Sequence, residues 1–493
     1  MKNKYNITIP NKIYNWINGI EVKPSTGELF EKISPHSRKL ICKVARSTKL
    51  DIDIAVEAAS NAQANWANIP AVNRGHILHQ ICNSLEVQKK MIAYVVSLET
   101  GKSYKEAIGE TEGAIALGRF YAGEGQRLYG RTTTSGSENK YVSTVRQPCG
   151  VAGLIIAANT PIANVAWKVF PALICGNSVV LKAAEDAPIT AWIFSKIAHK
   201  IGIPPGVMNV VQGFGIEAGA PLVENNKVDV ISFTGSSCVG MWIAETAGKR
   251  LAKVSLELGG KNPLVVCDDA NFDNAVKWVC LSAFSNAGQR CASGSRIIIF
   301  ENIYEQFKEK LLVAIDSLSI GNDDDDDLGP VINEQQINNM LASVECAKIS
   351  GASILAGGYR LNSELHKNGF YMAPTLIEGV NPQDDISKKE LFGPIAILYK
   401  AKDFSEAIEV ANDSPYGLTA CIHTNNYHRA MEFTNKVKCG AVVVNAGTYG
   451  SEPHMPFGGL KQSGNGSREP GTEALDIYSD LKDIYMVVDP SQV

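Results

Sequence analysis

Val151-Ala152-Gly153-Leu154-Ile155-Ile156-Ala157 is a short apolar run, and Ser178-Val179-Val180-Leu181-Lys182 is the next one downstream. Between them the chain has helical character as far as Ile174. The pattern then repeats. A helix is predicted over 189–201, and apolar runs return at Val207 to Val211, Val228 to Phe233 and Val254 to Leu258. These runs are continuous rather than alternating, and rich in β-branched residues. Strands of that kind are buried on both faces, so the series predicts a parallel sheet with helices on either side. A second series begins with Asn262 to Cys267 and Arg296 to Phe300. It continues through Ile395 to Tyr399, Leu418 to His423 and Gly440 to Asn445. The fold class is therefore α/β, with two such units in tandem and a boundary near Gly259-Gly260.

Upstream, Asp51 to Gly125 reads as helices. Ala55, Ala58, Ala59 and Ala62 recur at helical spacing, as do Ile77, Leu78, Ile81 and Leu85. The character changes between Arg127 and Val145. Thr132 to Gly136 is turn-like and Tyr141 to Val145 alternates as a strand does, so a protruding hairpin is expected there.

A chain of 493 residues exceeds one compact core. Hydrophobic residues make up 45% and charged residues 20%, which permits a large core and argues against disorder. The net charge of −4 gives no reason to expect nucleic acid as a partner. Eleven cysteines occur without a Cys-x-x-Cys pair, and Cys175, Cys267 and Cys280 lie in apolar runs where burial is expected. The odd count points to free thiols in a reducing compartment. Met1 to Asn11 is basic and polar without an apolar signal core, and no run of about 20 apolar residues is present. A cytoplasmic protein without a membrane partner is expected. The five carboxylates Asp323 to Asp327 read as a solvated loop rather than a metal site, and no metal centre is expected.

The chemistry-bearing residues lie in glycine-flanked strings. Cys291 ends Asn286-Ala287-Gly288-Gln289-Arg290-Cys291, and Glu257 opens Glu257-Leu258-Gly259-Gly260-Lys261. A thiol can form an acyl-enzyme, and a carboxylate can activate the water that cleaves it. Gly235 and Ser236, in Phe233-Thr234-Gly235-Ser236-Ser237-Cys238-Val239-Gly240, open a helix after a strand. That is either a phosphate-binding helix N-terminus or an ordinary glycine turn with a serine cap. Lys182 and Glu185 stand at a strand end, either to hold ribose hydroxyls or as a salt-bridged turn. Asn159, in Ala158-Asn159-Thr160-Pro161, is either an oxyanion donor or plain turn chemistry. Glu390 and Phe392, in Glu390-Leu391-Phe392-Gly393-Pro394, offer a carboxylate and an aromatic edge, or merely a packed turn. The glycine-dense loop Met455 to Gly464 must turn tightly against something.

Taken in order, these strings resemble the aldehyde dehydrogenase superfamily from about Trp16 to Tyr485, including the 34-position gap between Glu257 and Cys291. The resemblance implies two Rossmann-like parallel-sheet domains, one for the cofactor (1–126 and 148–259) and one for catalysis (260–458). It adds a small β oligomerisation element (127–147 and 470–493) that makes a homodimer or homotetramer. It implies Cys291 as nucleophile, Glu257 as general base, Asn159 as oxyanion donor and Glu469 as an aid to proton transfer. It implies NAD, with NADP possible, held by Lys182, Glu185, Gly235, Ser236, Glu390 and Phe392. Glu185 beside a ribose 2′-hydroxyl favours NAD, because a 2′-phosphate there would be repelled. Glu257 favours hydrolysis of the thioester over transfer to coenzyme A.

Two departures stand out. The family's Pro-Trp-Asn-Phe/Tyr-Pro appears as Ala157-Ala158-Asn159-Thr160-Pro161, and the Gly-Arg-Glu-Gly string as Ser467-Arg468-Glu469-Pro470. The first leaves Thr160, Asn164 and Trp167 on the substrate face, which suggests a small polar aldehyde, either a hydroxyaldehyde or a semialdehyde. Arg290 and His454 are further substrate candidates, either holding an anion or serving as a salt bridge and a loop residue. Rival readings are a cysteine esterase without redox chemistry and a catalytically idle binding protein.

Overall fold

The computed structural model describes residues 8–492; residues 1–7 of the basic N-terminal segment and Val493 lie outside them. The first series of apolar runs forms one seven-stranded sheet. Its order is Lys253–Glu257, Val230–Thr234, Val151–Ile155, Ser178–Lys182, Met208–Val211, Asn15–Ile17 and Ile20–Val22. The first five strands are parallel, and every residue of Val151–Ile155 and Ser178–Lys182 is buried, which is why those runs do not alternate. Asn15–Ile17 pairs antiparallel to Met208–Val211 and closes that edge, an addition the sequence reading did not contain.

The second series forms another seven-stranded sheet, in the order Ser353–Ala356, Thr375–Glu378, Ile395–Ala401, Gly294–Phe300, Asn262–Val266, Thr419–His423 and Ala441–Val444. All neighbours are parallel except the edge strand Ser353–Ala356. The chain leaves the first sheet at Glu257 and enters the second at Asn262.

Helices Lys49–Asn68, Ala71–Thr100 and Tyr104–Glu124 cover the predicted helical stretch. They bury Ala55 and Ala59, and Leu78, Ile81 and Leu85, so the expected stripes do face the core. Trp66 is fully buried, and its Nε1 donates to Leu173 O at 3.0 Å. That bond ties the first helix to the C-terminal end of Pro161–Ile174, the helix that follows Asn159. Strands Thr132–Thr134, Lys140–Pro148 and Ser479–Val487 make a separate antiparallel sheet. The C-terminal segment of that element starts later than expected. Ala474, Leu475 and Tyr478 pack into the first domain's core, and only from Ser479 does the chain join the antiparallel sheet.

Cys175, Cys267 and Cys280 are buried as their apolar context demands. The Asp323–Asp327 loop is tied down internally: Asp326 accepts from Asp323 N at 2.7 Å and Asp327 from Ser319 N at 3.0 Å. Among the described residues no group of three or more metal-ligating side chains occurs, and no helix is long and apolar enough to cross a membrane. Trp66→Ala is expected to cost about 3–5 kcal/mol of stability. Trp66→Phe should cost about 1 kcal/mol, because the Leu173 carbonyl loses one donor while keeping the Gly176 N–H. Denaturant unfolding of the two variants measures both, and a larger loss for the phenylalanine would contradict the packing account.

Candidate active site

Chain order in the first sheet reverses between Val151–Ile155 and its neighbour Val230–Thr234, and such a reversal opens a crevice at the strands' C-terminal ends. Asn159 follows the first of these strands, Gly235 and Ser236 follow the second, and Glu257 ends the next one over. The second sheet meets this edge with the N-terminal ends of its strands. Cys291 precedes Gly294–Phe300, and Glu390 and Phe392 precede Ile395–Ala401. Two cavities open where the edges face each other. One, of about 340 Å³, is lined by Gly235, Ser236, Glu257, Glu390 and Phe392 among others. The other, of about 510 Å³, is lined by Lys105, Glu106, Arg290, Tyr449 and Glu452 among others. Asn159, Thr160, Trp167, Cys291 and Phe457 line both, so Cys291 sits at their junction.

The loop that carries Cys291 is tightly wound. After helix Phe272–Phe284, Asn286 and Ala287 both adopt φ of 52° and Gly288 67°. A side chain on Gly288 would lie 2.0 Å from Gly393 O, so glycine is required by contact as well as by φ. Gln289 braces the turn: its Nε2 donates to Asn286 O at 3.1 Å, and its Oε1 accepts from Ile332 N at 2.8 Å. Asn262 Nδ2 donates to Cys291 O at 2.8 Å. The Asn159 amide donates one N–H to Gln289 O at 3.0 Å, which leaves the other for a ligand. Burial pushes the Cys291 thiol up to about 12, and the nearby Glu390 and Glu257 carboxylates push in the same direction.

Glu257 is buried at 4% exposure, and neither of its oxygens has a hydrogen-bond partner. Its carboxyl is held well above the usual range, first by desolvation and then by the negative field of Glu469. The glycine-dense loop turns against this residue. Gly464 bridges to Glu257, and a side chain on Gly458 would come within 2.9 Å of Glu257 Oε1. Glu469 does not enter either cavity lining. It is fully buried, pairs with Lys168 Nζ at 2.8 Å, and accepts from Ser232 Oγ at 2.8 Å and Tyr478 OH at 2.6 Å. Its carboxylate is therefore held by three donors, and its negative charge acts on Glu257. Ser467, where the related string has glycine, donates into the turn at Asn465 Oδ1 at 2.7 Å and accepts from Leu256 N at 3.2 Å.

Glu390 Oε1 accepts from Gly260 N at 2.9 Å, and a side chain on Gly259 would lie 2.0 Å from Glu390 Oε2. The paired glycines after Glu257 thus permit Glu390 to approach. Burial raises the Glu390 carboxyl to about 7. Phe392 holds a left-handed φ of 55° on the same wall. Ser236 caps helix Ser237–Gly248 by accepting from Val239 N at 3.4 Å, and the Thr234 hydroxyl beside it is buried without a partner. Lys182 and Glu185 pair with each other at 2.6 Å on the next strand end, outside the cavity that reaches Cys291.

Among the substrate candidates, Thr160 and Trp167 line both cavities, and Trp167 meets Phe457 edge-on with centroids 5.3 Å apart. Asn164 lines the smaller cavity, and its amide donates to Ala157 O at 3.3 Å and Thr160 Oγ1 at 3.2 Å. Arg290 both makes the salt bridge, 3.1 Å to Glu106, and lines the larger cavity, lying 4.7 Å from the Tyr449 ring centroid. His454 is exposed, 3.6 Å from Glu452, and lines neither cavity. Sequence reasoning missed Lys102, Glu106, Glu110 and Tyr449. The three charged residues sit at or near a helix start and read as ordinary surface charge; only the tertiary contacts reveal them.

The "Aldehyde dehydrogenase family" profile matches residues 22–484. The chain is 38% identical over 483 residues to an alpha-ketoglutaric semialdehyde dehydrogenase of Bacillus subtilis, covering 97% of this chain and 99% of that one. It is 37% identical over 481 residues to an alpha-ketoglutarate semialdehyde dehydrogenase of Haloferax volcanii, with the same coverage. Its fold matches a crystal structure of betaine aldehyde dehydrogenase from Staphylococcus aureus in complex with NAD+, with a TM-score of 0.95 at 31% identity. That match covers 97% of this chain and 95% of the other.

Because the thiol is held at about 12 without ligand, iodoacetamide labelling of Cys291 should accelerate with pH and show no plateau below about pH 10. Glu390→Gln removes a negative charge that disfavours the thiolate, so labelling at a given pH should be faster. Mass spectrometry of the labelled peptide reads both, and a plateau near neutral pH would overturn the burial argument.

Proposed function

The chain belongs to the aldehyde dehydrogenase family, and from that premise we propose that it oxidises a small acidic semialdehyde to the carboxylate through a Cys291 thioester, with NAD as the cofactor. The single observation that carries the mechanism is the position of Cys291 at the junction of two cavities, with the unpartnered Glu257 carboxyl on one side.

Cys291 Sγ attacks the aldehyde carbon from the junction. The second N–H of Asn159 and the Cys291 backbone N–H receive the developing oxyanion. When bound, the nicotinamide dinucleotide supplies the hydride acceptor. Glu257 then takes a proton from water, which attacks the thioester carbonyl and releases the acid and the thiol. A carboxyl held above its usual range is a stronger base once ionised, which suits that task.

The residues present fit the dinucleotide. Gly235 and Ser236 offer a helix N-terminus to the pyrophosphate, Glu390 offers an acceptor to a ribose hydroxyl, and the Thr234 hydroxyl is free to bond a ligand. Lys182 and Glu185 would hold the second ribose on the adjacent strand end. Glu185, carrying its charge there, favours NAD over NADP. The similar betaine aldehyde dehydrogenase described in complex with NAD+ supports this cofactor.

The substrate class rests on the larger cavity. Of the cations lining it, Lys102 is paired with Glu110 and Arg290 with Glu106, whereas the Lys105 ammonium has no ion-pair partner among the described residues. A free cation facing an aldehyde pocket suits a substrate with a carboxylate at its far end. The semialdehyde dehydrogenases of similar sequence support the same choice. We also infer that the antiparallel element pairs copies of this chain into a homodimer or homotetramer, since Tyr141, Leu481, Tyr485, Met486 and Val487 expose apolar surface on its strands. Free cysteines throughout the described residues fit a reducing cytoplasm.

Absorbance at about 340 nm, the reduced-nicotinamide band, tests the chemistry directly. Cys291→Ala should bind NAD yet form no NADH with any aldehyde, and residual turnover would refute the nucleophile. Glu257→Gln should keep the first burst of NADH but slow steady turnover; an unchanged steady rate would remove it as the base. Native turnover should climb as pH rises through the elevated range of Glu257, because only the ionised form accepts a proton. Lys105→Met should raise KM for semialdehydes about fivefold, the scale of a partly exposed charge pair, and by less for uncharged aldehydes of equal length. Equal shifts for both would exclude Lys105 from substrate recognition.

A further inference from the structure

Glu106 forgoes the local bond that its position offers. Ser103 caps helix Tyr104–Glu124 and accepts from Glu106 N at 3.4 Å. In a Ser-x-x-Glu start the glutamate usually folds back onto the cap N–H. Here Glu106 Oε1 reaches out of the helix instead, accepting from Asn286 N at 2.7 Å and from Arg290 Nη2 at 3.1 Å. Its other oxygen is buried without a partner. Asn286 and Arg290 bracket the wound loop that delivers Cys291, and Ala287 within it holds a φ of 52°. A non-glycine residue stays in that conformation only where its surroundings over-determine it.

Glu110, one turn along the same helix face, does the matching task for the other loop. Its Oε1 accepts from Ile162 N at 3.0 Å and Ala163 N at 3.3 Å, the first-turn donors of helix Pro161–Ile174. That helix has no side-chain cap of its own, so Glu110 satisfies donors that Thr160 leaves open. Glu110 Oε2 pairs with Lys102 Nζ at 2.6 Å, and the same ammonium donates to Asn159 O at 2.6 Å. The two loops are also joined directly, through Asn286 Nδ2 to Asn159 O at 3.3 Å and Asn159 Nδ2 to Gln289 O at 3.0 Å.

We propose that Glu106 and Glu110 are positioning residues for the reaction: together they set the Asn159 amide at a fixed distance from the Cys291 sulfur, so that the oxyanion meets its donor as the bond to sulfur forms. This rests on Cys291 as nucleophile and Asn159 as oxyanion donor. Neither carboxylate needs to touch the reacting carbon. Glu106 accepts two N–H groups and Glu110 three, and charge-assisted bonds of this kind are stronger than neutral ones. Both are rooted in one helix, so any drift of one loop against the other strains them together. Misplacement by about 1 Å is enough to cost on the order of a hundredfold in rate.

A double-mutant cycle on the full-length protein separates positioning from plain structural support. The readout is the rate of the first NADH burst at saturating semialdehyde and NAD. Asn159→Ala alone should slow the burst about a hundredfold or more. Glu106→Gln keeps an acceptor for Asn286 N but loses the charge that holds Arg290, and should slow the native burst about tenfold. In the Asn159→Ala background the same change should cost less than about twofold, because the side-chain donor that the carboxylates position is gone and only the Cys291 backbone N–H is left. Equal losses in both backgrounds, or no loss in either, would overturn the proposal. An unchanged burst in Asn159→Ala alone would instead sink the oxyanion reading beneath it. Should the glutamine variant not fold, Glu106→Asp, which retains the charge but shortens the reach, runs through the same cycle with the same criteria.

Discussion

Desolvation governs this site. Cys291, Glu257 and Glu390 all face the same cavity, and each would carry negative charge in its reactive form. Burial pushes each toward its neutral form, and each one's charge further disfavours the thiolate. On the proposed reading, joint ionisation of the nucleophile, the base and the ribose acceptor is disfavoured. Under the proposed mechanism the thiol needs a positive influence before it attacks, and thioester formation then removes the sulfur's charge from the site. The committed Lys168–Glu469 pair sets the background field: its carboxylate raises Glu257, while the ammonium partly offsets it.

Much of the fold was legible because burial on both faces of a parallel sheet leaves a simple signature. Continuous runs such as Val151 to Ile155 and Asn262 to Val266 have no solvent face, so nothing interrupts them. The elements that escaped reading lack that signature. Asn15–Ile17 is three residues long and joins the sheet only through its antiparallel contact with Met208–Val211. Ser353–Ala356, at the opposite edge of the second sheet, has no buried residue at all. The C-terminal segment was read as one element, although Leu475 and Tyr478 anchor it to a different core before the strand begins. Three-dimensional neighbours, not local pattern, decide those positions.

The site was legible in a different way. Glycine strings marked where backbone and side chain come close. Gly259 must lack a side chain because Glu390 Oε2 lies against it, and Gly288 because Gly393 O does. Such strings point to the walls of a crevice, and Cys291, Glu257 and Asn159 fell within them. Charged residues on regular elements carry no such mark. Glu106 and Glu110 sit at helical spacing and would suit a solvated face equally well. The string of Glu469 suggests an aid to proton transfer, and in the structure Lys168, Ser232 and Tyr478 bond its oxygens. His454 reads as an anion holder or a loop residue, and it lies outside both cavities.

The larger cavity adds a constraint on what can bind. Two of its cations are neutralised within the wall, one by Glu110 and one by Glu106. Those pairs serve the loops, so neither carboxylate can be surrendered to a ligand without loosening the catalytic geometry. Under the proposed reading a substrate anion would be met by the remaining ammonium of Lys105, which is exposed at the cavity wall. An exposed lysine discriminates weakly, through a long stem and a strongly hydrated head. Selectivity for acidic aldehydes should consequently be modest in magnitude and sensitive to ionic strength, and it would be sharpened by chain length more than by charge alone. The lack of aromatic residues directly before and after Asn159 in the sequence fits that picture, since Thr160 presents a hydroxyl beside the Trp167 and Phe457 rings.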